Sequence, residues 1–150
     1  VKINIAALLA LGMLTGEPAV LEVKFAIREA GGHPILQIAL ANHSGRMVKA
    51  LRALATEEEM YGKLFELRDA ESGEALQYQG IMVKRGPLTD EDYLPMRAGT
   101  ERSNAIDLGL AYAFKPGRHA YTISYAGHYL LDGKEMPLTV GPLRFEHTGR

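Results

Sequence analysis

The chain contains no cysteine. Thiolate zinc sites, iron–sulfur ligation and thiol catalysis are therefore excluded, while the redox compartment stays open, since a cysteine-free domain is stable anywhere. It also lacks an excess of either charge: 17 Lys plus Arg stand against 18 Asp plus Glu, a formal net charge of −1. That balance gives no long-range attraction to nucleic acid or to an anionic membrane, and no basic face of the kind a nucleic-acid reader carries is evident. No apolar run is long enough to cross a bilayer comfortably as a helix: the longest, Ile3 to Leu14, falls short at about 1.5 Å per residue. Internal repeats, linkers and low-complexity segments are absent as well.

What is present suits one folded domain. The chain has 150 residues, of which 47% are apolar, enough for a core that needs no disulfide or metal. Sixteen glycines and seven prolines between short apolar runs favour many turns over a few long helices. At the amino terminus, Lys2 precedes Ile3–Leu14, and Thr15-Gly16-Glu17-Pro18-Ala19 follows. A cation, an apolar run and a small-residue region resemble a secretory signal peptide; a first strand or a buried helix is the alternative. Residues 1–20 are accordingly set apart as a signal-like or first-strand segment, with 21–150 as a single domain.

Within that domain, two-residue periodicity dominates. Leu21-Glu22-Val23-Lys24-Phe25-Ala26-Ile27-Arg28 alternates dry and wet side chains, as a half-buried strand does. Ala30-Gly31-Gly32-His33-Pro34 predicts a turn, Ile35–Leu40 a second antiparallel strand, and Asn42-His43-Ser44-Gly45 its end. The stretch from Met47 to Asp69 is ambiguous. Val48, Leu51, Leu54 and Ala55 recur at helical spacing, and Thr56 is placed to cap the acidic start Glu57-Glu58-Glu59. Gly62 and the strand-like Leu64–Arg68 oppose a long helix. The expectation is a strand over 47–54, one short helical turn near residues 55–62, and a strand over 63–68. Beyond the polar turn Asp69–Glu74, extended structure is expected from Ala75 to Val83 and again from Arg102 to Leu110. Lys115-Pro116-Gly117-Arg118 reads as a turn before the aromatic and β-branched strand His119–Tyr125. Leu131-Asp132-Gly133-Lys134 is a hairpin turn of the Asp-Gly type, and Leu143–Glu146 is the last strand. About seven strands with frequent turns predict an all-β fold, an immunoglobulin-like antiparallel β-sandwich.

Chemistry is harder to find. His33, His43, His119, His128 and His147 show no close spacing typical of a metal site on one element, and each reads as exposed or hydrogen-bonded. His128 with Asp132 is a ligand pair across a hairpin only if that turn is not simply solvated. The serines Ser44, Ser72, Ser103 and Ser124 lack the Gly-x-Ser-x-Gly turn that exposes a hydroxyl to a base. Asp90-Glu91-Asp92 offers hard oxygens to calcium but lacks the alternating ligands and the glycine of a calcium loop. Residues 84–98 form a long loop rich in Pro, Gly and charge, of the kind that often carries function. Lys84, Arg85, Asp92 and Tyr93 are its binding candidates. The two cations either grip an acidic partner surface or pair with Asp90, Glu91 or Asp92 and pin the loop. The tyrosines Tyr78, Tyr93, Tyr112, Tyr121 and Tyr125 read mostly as core or sheet-face residues, with a ligand-stacking platform as the lesser option.

Two stretches carry a wider pattern. The first is Ala41-Asn42-His43-Ser44, then Val48-Lys49-Ala50-Leu51-Arg52 and Leu64-Phe65-Glu66-Leu67. The second and more distinctive is Tyr78-Gln79-Gly80-Ile81-Met82-Val83-Lys84-Arg85-Gly86-Pro87, continued by Asp92-Tyr93, Ala98-Gly99, Ile106-Asp107-Leu108, Ala111-Tyr112, Pro116-Gly117, Tyr121 and Tyr125. Together they resemble the amino-terminal β-sandwich that precedes the catalytic domain in deuterolysin and peptidyl-Lys-type zinc endopeptidases (aspzincins). The family commonly has a Thr-Pro-x-Glu-Gly turn where this chain has Thr56-Glu57-Glu58-Glu59. No His-Glu-x-x-His helix, which sets two imidazoles on one face beside a catalytic Glu, occurs in the 150 residues.

The resemblance thus implies a non-catalytic, propeptide-like or accessory domain, secreted or periplasmic, with no cofactor and no metal. Its expected work is protein–protein contact: inhibiting, chaperoning or positioning a zinc metallopeptidase. The rival expectation is an envelope or adhesion-type sandwich that binds glycan or a surface protein, favoured if tyrosines cluster on an exposed sheet face. A small enzyme has only scattered Ser, His and Asp behind it.

Overall fold

A computed structural model describes residues 20–150. All but the last residue of the signal-like segment lies outside the described residues. The rest is an antiparallel, all-β sandwich of two sheets. Eight strands build it: β1 (Leu21–Ala30), β2 (His33–Asn42), β3 (Val48–Leu51), β4 (Glu66–Asp69), β5 (Tyr93–Met96), β6 (Glu101–Asp107), β7 (Gly117–Leu131) and β8 (Lys134–Gly149). One turn of α-helix, α1 (Arg52–Ala55), and a 3-10 turn (Asp90–Asp92) complete the elements.

The first sheet has the order β1-β2-β6. Its alternation puts Phe25, Ile38 and Asn104 in one row and Ile27, Leu36 and Ile106 in the next, all facing inward. Charged and small side chains such as Lys24, Ala39 and Ser103 share the opposite, wet face. The second sheet is organised around β7. Strand β8 pairs along its whole length, β4 pairs with its first half (Tyr121–Ser124) and β3 with its end (Leu130–Leu131), and β5 lies beyond β3. The β7–β8 hairpin closes through Asp132 and Gly133, both at positive φ (53° and 75°), as the twist-matched two-residue turn requires. Tyr121, Ile123, Tyr125, Tyr129 and Leu131 alternate inward along β7. Between the sheets, Phe65 packs edge-on against Phe25 at 5.6 Å and meets Tyr125 at 6.0 Å, so one ring joins both layers.

Strands β7 and β8 run well beyond the expected His119–Tyr125 and Leu143–Glu146, and three further expectations change. The helical turn lies at 52–55 rather than 55–62, because Thr56 ends it instead of starting it. The Thr56 and Glu57 amides and the Thr56 hydroxyl all donate to the Arg52 carbonyl, closing the turn at its carboxyl end. Residues 75–83 form no continuous strand; they are held by two isolated bridges, Arg68 with Ala75 and Tyr78 with Tyr112. The 84–98 segment is not wholly loop, since Tyr93–Met96 pairs with β3.

Among the described residues, every polar side-chain atom buried in the core has a hydrogen-bond partner. Asn42, 1% exposed, donates to the carbonyls of Arg46 (2.8 Å) and Met96 (2.9 Å) and accepts from the Ser44 amide and hydroxyl. It welds the end of β2 to β5 in the other sheet. The Tyr112 hydroxyl closes the backbone of Phe65, donating to its carbonyl (2.7 Å) and accepting from its amide (3.1 Å). Asp69 organises the turn after β4: its carboxylate accepts from the Glu71 and Ser72 amides and from Lys115.

Candidate functional site

The distinctive Tyr78–Pro87 run is a loop pinned at both ends and exposed between. At its start, the Gln79 amide donates to the Ala111 carbonyl and the Ala113 amide to the Gln77 carbonyl, while the Tyr78 and Tyr112 rings meet edge-on at 5.5 Å. The Tyr78 side chain folds back over Gly80 and donates to the Ile81 carbonyl. Only glycine permits this: a Cβ at position 80 would stand 2.7 Å from the Tyr78 hydroxyl. The Tyr-x-Gly spacing is thus a local lock. Burial, with a smaller contribution from the Glu59 charge, pushes the Tyr78 phenol above its ordinary range. In mid-loop the Val83 amide donates to the Tyr61 carbonyl (2.8 Å).

At the far end Arg85 reaches Asp92 (3.4 Å), and its guanidinium stands 5.9 Å over the Tyr61 ring. The Asp92 carboxylate accepts from the Thr89 amide (2.8 Å) while the Asp92 amide donates to the Thr89 carbonyl, which shapes the 3-10 turn. Arg52 donates to the Glu91 carbonyl, and Asp90 lies 3.6 Å from Lys49.

The four candidates therefore part company. Arg85 and Asp92 pin the loop. Lys84 is exposed, and among the described residues no carboxylate lies within ion-pair distance of it. Tyr93 is not a surface group: as the first residue of β5 it turns inward, 6% exposed, with its hydroxyl 2.7 Å from His128 Nε2. Nor do His128 and Asp132 pair, since Asp132 bonds Arg46 while His128 faces Tyr93 and, at 4.0 Å, Glu135. The tyrosine platform is not formed by the residues named for it. Tyr93, Tyr112, Tyr121 and Tyr125 are buried and Tyr78 is half-buried. Among the described residues no three His, Asp or Glu side chains converge as a metal site.

Sequence reasoning missed the apolar face of this loop. Met82 is 73% exposed, and Ile81, Val83 and Leu88 are each exposed by nearly half. The signal was there: Ile81-Met82-Val83 does not alternate, so at least part of it cannot be buried by a strand with one wet face. Beside the loop lies a cleft of about 550 Å³ between it, residues 58–60 and residues 107–111.

No family model matches this chain. No curated protein matches it either. A solved structure described as the X-ray structure of Northeast Structural Genomics Consortium target SoR45 is 13% identical, covering 86% of this chain and 85% of that one at a TM-score of 0.34. A likeness with a TM-score that low carries no argument about fold or function. Among the described residues no helix is long and apolar enough to cross a membrane.

Proposed function

We propose that this protein is a non-catalytic, extracytoplasmic sandwich that works by protein–protein contact through the 81–88 loop. The partner is a zinc metallopeptidase that it inhibits, chaperones or positions. One observation carries the docking reading: four apolar side chains stand in solvent on a loop whose ends are tied to the framework. Exposed apolar groups held in place lose little entropy on association, which favours a binding surface over a slack connection. The choice of partner rests on the resemblance of the Tyr78–Pro87 run and its flanks to the aspzincin accessory domain.

Calorimetric titration with a purified deuterolysin-type zinc endopeptidase tests both parts, alongside an assay of peptide hydrolysis. Saturable binding with altered hydrolysis is expected. Replacing Met82 by Ser removes the most exposed of the loop's four apolar side chains. Burial of one such side chain contributes about 1.5–3 kcal/mol, so affinity falls roughly 10- to 100-fold. No heat and no change in hydrolysis at about 100 μM, well above the micromolar range of specific complexes, would remove the metallopeptidase as partner.

A further inference from the structure

The cleft beside the docking loop has a composition of its own. Its floor is apolar, from Met60, the ring of Tyr78 and Ala111. Its lips are Ile81 and Leu110, the latter 75% exposed, more than any other large apolar side chain among the described residues. On the rim stand Glu58 and Glu59, both exposed. Among the described residues no Lys, Arg or His lies within ion-pair distance of either. The third carboxylate, Asp107, is already engaged, 2.9 Å from His33 and accepting from the Gly109 amide at 2.8 Å.

An apolar trough with a one-signed, uncompensated rim fits one chemistry. We infer that the cleft receives a partner segment carrying an aliphatic side chain flanked by Lys or Arg. The aliphatic group enters between Ile81 and Leu110 over Met60 and Tyr78, and the flanking cations meet Glu58 and Glu59. The apolar part supplies affinity; the charged rim sets which segments are admitted, because an acidic segment is repelled on approach. The inference rests on the reading of this face as a protein-docking surface and adds to it the sign and shape of what docks.

Three capped pentapeptides, Ala-Lys-Leu-Lys-Ala, Ala-Glu-Leu-Glu-Ala and Ala-Lys-Ser-Lys-Ala, are titrated into the 15N-labelled chain while amide shifts are followed. The first is expected to move resonances of residues 58–60, 78–81 and 110–111. The acidic peptide should leave them in place, and the serine peptide should move them only weakly. The exposed double variant E58Q/E59Q should weaken the first peptide at least about threefold, as loss of two surface ion pairs does. Equal responses to all three peptides, or none, would overturn the assignment. So would shifts that depend on protein concentration without peptide, which would give the cleft to a second copy. The two readings separate cleanly. If the metallopeptidase binds E58Q/E59Q normally but not Met82→Ser, docking stands and the cleft assignment falls. If it does not bind even the wild-type chain while the peptides discriminate, the cleft assignment stands alone.

Discussion

Removing one oxygen atom from Tyr112 tests how the loop is joined to the core. Tyr112 is 0% exposed, and its hydroxyl serves both the amide and the carbonyl of Phe65, immediately before β4. These backbone groups point away from β7: the Ala70 amide bonds Ala120, whereas the Asp69 amide and the Leu67 carbonyl bond outward to Glu74 and Leu76. By that alternation Phe65 faces outward too, and the tyrosine is its partner. Tyr112→Phe keeps the ring, its edge-on contact with Tyr78 at 5.5 Å and nearly all the volume. It leaves two backbone polar groups buried without partners, at about 1–3 kcal/mol each, so about 2–4 kcal/mol in total is expected when partial relaxation is allowed. At about 4 °C per kcal/mol for a domain of this size, the melting temperature drops by roughly 8–16 °C. Thermal and urea unfolding followed by near-ultraviolet circular dichroism would read both quantities. Tyr61→Phe, at the exposed end of the same loop region, serves as control and should stay within about 0.5 kcal/mol. A Tyr112→Phe loss no larger than the control's would refute the claim that this hydroxyl is needed by the Phe65 backbone.

Other perturbations separate the remaining ties. Asn42→Ala strips partners from the buried Met96 carbonyl and from the Ser44 turn, and should cost about 2–4 kcal/mol in urea unfolding. Asp69 is held well below the usual carboxylate range, chiefly by the Ser72 amide, then by Lys115 and the Glu71 amide. A carboxyl depressed by folding stabilises above its unfolded value and loses that contribution as pH falls, so melting temperature should decline below about pH 4, and Asp69→Asn should flatten that limb. Gly80→Ala displaces the Tyr78 ring from its seat; faster amide exchange at residues 79–83 is expected, with global stability changed by less than about 1.5 kcal/mol because the loop buries little. Breaking the exposed Arg85–Asp92 pair with Arg85→Ala should alter stability by less than about 1 kcal/mol.

What could be read from residues alone follows a physical divide. Strands with one wet face advertise themselves, as Leu21–Arg28 and Ile35–Leu40 do, and the Asp132-Gly133 turn states its own geometry. Elements that depend on a remote neighbour do not. Val48–Ala55 has helical spacing, yet its first half pairs with β5 and β7, so only Arg52–Ala55 keeps the helix. Tyr93 looked like a loop tyrosine because nothing nearby reveals that β3, some forty residues upstream, turns it inward. The length of β7 was hidden by Ala126-Gly127-His128, which breaks the apolar alternation. The structure fills the break with Tyr125, whose hydroxyl lies 2.2 Å from where a Cβ on Gly127 would sit. At the candidate site, the charges of the loop imply the pairing of Arg85 with Asp92 as one of two options, whereas the extended-looking run from Ile81 to Val83 hides an exposed face.

The two short neighbours of β7 meet it end to end without touching each other's ground. Along β7, pairing with β4 stops at Ser124 and pairing with β3 begins at Leu130, so alternate backbone groups of Tyr125–Tyr129 look into a gap, and the register with β8 slips between Ile123 and Tyr125. The longest strand but one is therefore paired on both sides at Tyr121–Ser124 and at Leu130–Leu131, and on one side at its waist. Fraying in such a hairpin would begin from the inside, with amides near Ala126 and His128 exchanging sooner than those flanking them, so that the second sheet yields as two plates hinged at a central seam.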